Sequence, residues 1–299
     1  MKKLPILFFL LPAIFAGAQD REGIRYFNQV KPGTTSRIFA PGIVSTQTES
    51  EFGSIYSKNG KEFYYAIQDK NGKAETRVMT LVKGAWSKQA ALLRHDVYSY
   101  NDPFLSPDES RLYFISDQPL SGSGPKKDFD IWYIERNGDR WSKPFNAGPN
   151  INSIKNEYYS CITKNGTLYY SSNARASETG KDDYDVYAAK FENGNFQKAV
   201  RLDSPVNTPS YEGDVFVAPD ESYLIVCSDR PGGFGAGDLY VCFKKSDGTW
   251  GEAKNLGKGV NEDRFQYCPI ITHDGKYLLF TSKDDIRWVE TKVIETLSR

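Results

Sequence analysis

Histidine is almost missing from this 299-residue chain, which carries two, His95 and His273. So small a supply excludes chemistry that depends on a histidine cluster. The repeat alignment below puts the pair on opposite faces, so neither a shared metal site nor a Ser-His-Asp triad is expected. Net charge is missing too. The 38 Lys and Arg balance 38 Asp and Glu, which argues against nucleic acid as a partner. Long apolar runs are confined to Leu4–Phe15, shorter than the roughly 20 residues of a spanning helix, so no transmembrane segment is expected in the mature chain. Apolar residues at helical spacing are also lacking. The glycines between Gly232 and Gly237 lead into a strand rather than a helix, so they are not a phosphate loop. The acids of Lys181-Asp182-Asp183-Tyr184-Asp185 lack the spaced ligands of a calcium loop. No metal and no cofactor is expected.

Lys2 and Lys3 precede the apolar run, and Ala16-Gly17-Ala18 gives the small residues a signal peptidase needs, so residues 1–18 read as a signal peptide. No cysteine follows the cleavage site, so a lipoprotein-type anchor is not expected. Removing Lys2 and Lys3 leaves 36 basic against 38 acidic residues, a net charge of −2. The expected location is the periplasm, with the cell exterior as the alternative.

Aromatic residues are plentiful, at 14% of the chain, and they fall in short β-rich runs between turn residues. The unit from Glu212 to Gly257 is the clearest: a run, a Pro219-Asp220 turn, a second run, a glycine-rich loop, a third run, and a last short run after Trp250. Its first turn recurs as Lys58-Asn59-Gly60, Pro107-Asp108-Glu109, Lys164-Asn165-Gly166 and His273-Asp274-Gly275. An Asp opens the third run at Asp130, Asp185, Asp238 and Asp285, and an aromatic is expected to open the fourth strand at Trp86, Trp141, Phe196 and Trp250. A period near 50 with four strands per unit predicts a β-propeller. The fold class is therefore all-β, a single five-bladed propeller over 36–299 of four-stranded antiparallel blades, at about 50–93, 100–148, 157–203, 212–257 and 265–294. The fifth copy lacks a fourth strand, and residues 36–44 are expected to supply it, closing the ring. Residues 19–35 remain as a loose N-terminal arm. Cys161, Cys227, Cys242 and Cys268 all fall in strands and are expected as buried free thiols.

The Ser106-Pro107-Asp108 and Ala218-Pro219-Asp220 turns, the loop Ser228-Asp229-Arg230-Pro231-Gly232-Gly233-Phe234-Gly235 and Asp238-Leu239-Tyr240 resemble the WD40-like repeats of TolB-type propellers. The loop is similar to the form found in Bacteroidetes envelope proteins that join such a propeller to an OmpA-like domain. The resemblance covers roughly residues 36–294 and implies a periplasmic or cell-surface propeller that binds proteins or wall components. No OmpA-like domain is recognisable in this sequence.

The loops entering each first strand and those between second and third strands share one face, and three of the latter are long: Asp117 to Phe129, Asn173 to Tyr184, and Asp229 to Gly237. Recognition is expected there. Aligned inner strands begin at Glu51, Tyr100, Glu157, Glu212 and Gln266. Two residues on stand Gly53, Asp102, Tyr159, Asp214 and Cys268. Five carboxylates, Glu51, Asp102, Glu157, Glu212 and Asp214, are thus expected to converge on the channel mouth, where their field would draw in a cation, an amine or a basic segment. Structural roles at strand ends, paired with Arg175, Arg230 or Arg264, are the competing expectation. Arg175 and Arg230, with Phe129 and Phe234, complete the expected ligand-binding face. The function expected is a non-enzymatic, monomeric binding or scaffolding module of the cell envelope, its partner an envelope protein or a cell-wall or glycan component. The alternative is a glycoside hydrolase or carbohydrate-binding propeller, with Asp102 or Asp214 as base and Glu157 or Glu212 as acid. Charge reversal at Glu157 and Glu212 is expected to weaken partner capture and leave the melting temperature nearly unchanged.

Overall fold

The computed structural model describes residues 24–175 and 183–298; the segment 1–18 expected as a signal peptide and part of the 173–184 loop lie outside them. Each repeat folds into one antiparallel sheet whose strands run outward from a central axis. Blade 1 comprises Ser50–Tyr56, Glu62–Gln68, Ala74–Val82 and Ala90–Leu93; blade 2, Tyr100–Leu105, Arg111–Ser116, Asp130–Asn137 and Phe145–Asn146. Blade 3 comprises Glu157–Ile162, Leu168–Ser172, Asp185–Ala189 and Val200–Arg201; blade 4, Glu212–Val217, Tyr223–Ser228, Asp238–Phe243 and Lys254–Asn255. In blade 5, Gln266–Ile271, Tyr277–Ser282 and Asp285–Glu290 are joined by Arg37–Ile38, with Arg37 opposite Trp288 and Ile38 opposite Arg287. The N-terminal strand does close the ring.

The tight turns form because Asn59, Asp108, Asn165, Asp220 and Asp274 each accept the backbone N–H two residues on, at 2.8–3.2 Å. This Asx geometry is why Asn or Asp recurs there. The second strands lie in the middle of each blade. Leu168–Ser172 is buried at every position, because neighbouring blades cover both faces of a middle strand. The aromatic markers sit elsewhere than expected. Trp86, Trp141 and Phe196 pair back onto the preceding segment, opposite Leu81, Arg136 and Phe191, while Trp250 bridges to Lys244. Gly84, Gly138, Gly194 and Gly248, all at positive φ, let the chain form these hairpins before the fourth strand begins.

Residues 24–35 are not a loose arm where they are described. Tyr26 packs edge-on against Tyr56 and Tyr277, and its hydroxyl donates to Asp274 at 2.7 Å. Phe27 stacks on Trp86 at 4.5 Å and meets Phe39 and Phe63 edge-on. The segment is held because two large rings have nowhere else to leave water, and burying each contributes on the order of 2 kcal/mol. Trp288 and Phe39, both fully buried, complete this aromatic seam between the first and last blades. The four cysteines are buried free thiols. Among the described residues no helix is long and apolar enough to cross a membrane.

Candidate functional site: the channel mouth

All five inner strands carry a register shift at one equivalent point, between Phe52 and Ser54, Asn101 and Phe104, Tyr158 and Cys161, Gly213 and Phe216, and Tyr267 and Ile270. Within each bulge one residue is left-handed: Gly53, Asp102, Tyr159, Asp214 and Cys268, with φ from 45° to 53°. A bulge bends the strand and re-aims a side chain. Here it turns one residue per blade toward the axis, forming a ring across the channel. Cys268 Sγ donates to Asp102 Oδ1 at 3.6 Å, and Asp214 Oδ2 accepts the Cys268 N–H at 3.3 Å. Tyr159 crosses from blade 3 to blade 5, its hydroxyl donating to the Pro269 carbonyl at 2.8 Å. Blade 1 has room only for glycine, since a Cβ on Gly53 would stand 2.8 Å from Asp102 Oδ1.

Above this ring, on the long-loop face, lies a cavity of about 260 Å³ lined by Asn101, Asp102, Asp214, Tyr158, Tyr211 and Tyr267 among others. Burial, then the charge of Asp214, pushes the Asp102 carboxyl up to about 8; burial pushes Asp214 up to about 6. Near neutral pH the first is mostly protonated and the second mostly ionised. Asn101 Oδ1 is buried here without a hydrogen-bond partner. An arc of half-buried rings borders the cavity: Phe129 to Tyr158 at 5.3 Å, Tyr158 to Tyr184 at 5.3 Å, Tyr184 to Tyr211 at 5.6 Å and Tyr211 to Phe265 at 5.7 Å. The floor offers oxygen acceptors and one negative charge; the wall offers π-faces.

Of the five carboxylates expected at the mouth, Asp102 and Asp214 are brought together there and the three glutamates are not. Glu51 is fully buried and accepts from Thr46 N and Oγ1. Glu157 accepts from Ser153 Oγ at 2.7 Å and Ser172 Oγ at 2.9 Å. Glu212 accepts from Thr208 Oγ1 at 2.6 Å, Ser228 Oγ at 3.0 Å and Arg230 at 3.1 Å. Glu157 and Glu212 are struts that tie the loop entering a blade to that blade's second strand, and Glu51 holds the loop entering blade 1. Burial pushes Glu51 and Glu157 up to about 7. Arg230 is part of the same strut, donating to the Val206 carbonyl and lying over the Tyr240 ring. Arg175 lies 3.4 Å from Asp185, which also pairs with Arg201 at 2.6 Å, and all three line a separate groove of about 520 Å³. His95 accepts the Val97 N–H on the loop face, whereas His273 lines a cavity at the opposite end.

The signal that identifies the struts is in the sequence as Ile151-Asn152-Ser153, Val206-Asn207-Thr208 and Val260-Asn261-Glu262, each four residues ahead of Glu157, Glu212 or Gln266. Asn152, Asn207 and Asn261 each bond both backbone groups of the residue after the third-strand Asp. Sequence reasoning also passed over Asn101 and, Phe129 apart, the aromatic arc, although Phe129, Tyr184, Tyr211 and Phe265 each stand immediately before a strand. Carboxyl oxygens of Asp128, Asp130 and Glu157 come within 4.8 Å of one another, where a cation would be held; Lys127 Nζ, 2.9 Å from Asp130, already supplies a counter-charge.

No protein-family model and no curated protein matches the sequence. Among solved structures the chain is similar to TolB from Acinetobacter baumannii, at 12% identity and TM-score 0.48 over 80% of this chain and 54% of that one. It is similar also to a gluconolactonase from Xanthomonas campestris, at 12% identity and TM-score 0.46 over 85% and 88% of the two chains. Hydrazine synthase of Kuenenia stuttgartiensis matches at 11% identity and TM-score 0.51 over 81% of this chain and 38% of that one. The chain thus spans about half the length of that TolB, and less of the synthase. Identities this low speak to fold and not to activity. The strand order of the chain itself makes it an all-β, five-bladed propeller of four-stranded antiparallel sheets.

Proposed function

We propose that the protein is a non-enzymatic binding module of the cell envelope whose channel mouth takes up an ammonium or guanidinium group carried on a basic segment of a partner protein. The observation that carries this is the unpartnered Asn101 Oδ1 standing beside Asp102 and Asp214 under a wall of aromatic rings. A buried acceptor without a donor costs about 1–3 kcal/mol, and a cation bearing N–H groups relieves that cost while meeting π-faces. Val97, Leu120 and Ile154 are exposed on loops of the same face, Ile154 at 89%, and widen the surface a partner would cover. Export through the N-terminal segment, and residence in the periplasm or on the exterior, belong to the same proposal.

The test is calorimetric titration with N-acetyl-lysine methylamide and its uncharged norleucine counterpart, on the native chain and on an Asp102→Asn, Asp214→Asn variant. Saturable binding of the lysine compound alone, at least tenfold weaker in the variant and tighter at pH 8.5 than at pH 5.5, is the expected result. The pH sense follows from the raised carboxyls, which must lose protons to receive a cation. Equal binding of both compounds, or none, rejects the proposal. The aromatic arc favours one second reading, a carbohydrate ligand, and sugar binding or release from an oligosaccharide panel in place of lysine binding would establish it.

A further inference from the structure

The channel has a second end. Below the ring closed by Tyr159 lies a separate cavity of about 340 Å³, opening on the face of the tight turns. Its wall takes one side chain from each blade: Ile55, Phe104, Ile162, Phe216 and Ile270. All five belong to the buried core, so the interior of the cavity is a hydrocarbon-lined well that offers water few partners. Its volume falls in the range of small-molecule sites, about 300–1,000 Å³. Its rim is polar and unequal in charge. Lys58 and Lys164 are exposed there, and neither ammonium forms an ion pair among the described residues; Asp220 is the one acid in the lining, Glu109 accepts the Lys58 backbone N–H beside it, and burial lowers the His273 imidazole.

An apolar interior under a rim with excess positive charge fits one chemical class. We infer that this well binds a small amphipathic anion, its hydrocarbon part among the five core side chains and its carboxylate or other acidic head between Lys58 and Lys164. The site is distinct from the channel mouth, and Tyr159 stands between them. Hydrocarbon burial supplies most of the affinity, and the lysines supply the sign preference.

Octanoate is the probe, set against octylamine and octanol of equal chain length, titrated into the full chain and followed by the methyl NMR signals of Ile55, Ile162 and Ile270. Expected are a single saturable octanoate site, shifts at those three isoleucines, and binding of octylamine at least tenfold weaker. Lys58→Glu with Lys164→Glu changes only exposed groups, so folding is preserved. It should weaken octanoate at least tenfold and improve octylamine. The inference is overturned by absence of saturable binding, by equal affinity for acid and amine, by indifference to the lysine changes in a folded variant, or by shifts confined to residues of the opposite face. Acid and amine affinities are compared at those three isoleucine signals, which octylamine taken up as an ammonium at the mouth leaves unshifted.

Discussion

Asp102 is the residue whose chemistry is most altered by the fold. An unfolded chain ionises it near pH 3.9, whereas in the ring burial and the Asp214 charge hold the proton to about 8. A folded-state value raised above the unfolded one means that the unfolded chain releases its proton first as pH rises. Stability is therefore lost progressively between about pH 4 and pH 8 and is constant above that. Asn tolerates the left-handed backbone and cannot ionise. Asp102→Asn should thus be close to neutral at pH 4.5 and more stable than the native chain at pH 8.5, by a few kcal/mol. Denaturant unfolding at the two pH values checks it, and an equal difference at both would show that Asp102 is not held in a proton-retaining site.

At the scale of the element, the strut between one loop and the next blade replaces the role first expected of the glutamates. Gln266 holds the strut position in blade 5, accepting from Glu262 N–H at 3.3 Å and donating to Ser282 at 3.2 Å, so an amide can do the work. Glu212→Gln should cost about 1 kcal/mol. Glu212→Lys would set a buried ammonium beside Arg230 and strip acceptors from Thr208 and Ser228, at about 3–5 kcal/mol. Thermal unfolding of the pair tests this, and a charge reversal with an unchanged melting temperature would return Glu212 to the list of binding residues. The contrast also shows what was legible beforehand. Turn residues such as Asn59 and Asp220 act on their own neighbours, and the period of the repeat is set by them, so the blades could be read from local chemistry. Whether Glu212 or Asp214 faces the channel depends on a bulge between Gly213 and Phe216, which shifts the inward face without leaving any mark in the alternation of residue types. The arc from Phe129 to Phe265 is assembled from four successive blades, and no single repeat contains it.

At the scale of the whole molecule, closure rests on a short pairing reinforced by aromatic packing. Arg37–Ile38 contributes two residues of strand, too few to hold a ring, and the Tyr26, Phe27, Phe39 and Trp288 seam adds the buried area. Phe27→Ala should cost about 3–5 kcal/mol. In a chain of this size that lowers the melting temperature by roughly 2–4 °C per kcal/mol. Limited proteolysis should then cut first near residue 30, whereas a cut in the blade 3 loop alone would mean that the seam does not govern opening.

That seam also sets a clock on synthesis. Ser36 and Arg287, which meet in the finished ring, are separated by 251 residues of chain. At translation rates of roughly 5–20 residues per second, the first strand waits between about 12 and 50 seconds for its partner. Through most of that interval Tyr26, Phe27 and Phe39 have only their blade 1 partners and lack the cover of Tyr277 and Trp288, and the finished blades stand as an open row with a bare edge at each end. The nascent chain is thus most exposed to aggregation just before completion, and a holdase that recognises aromatic segments near residues 26–39 would act on this protein during its making rather than in its working life.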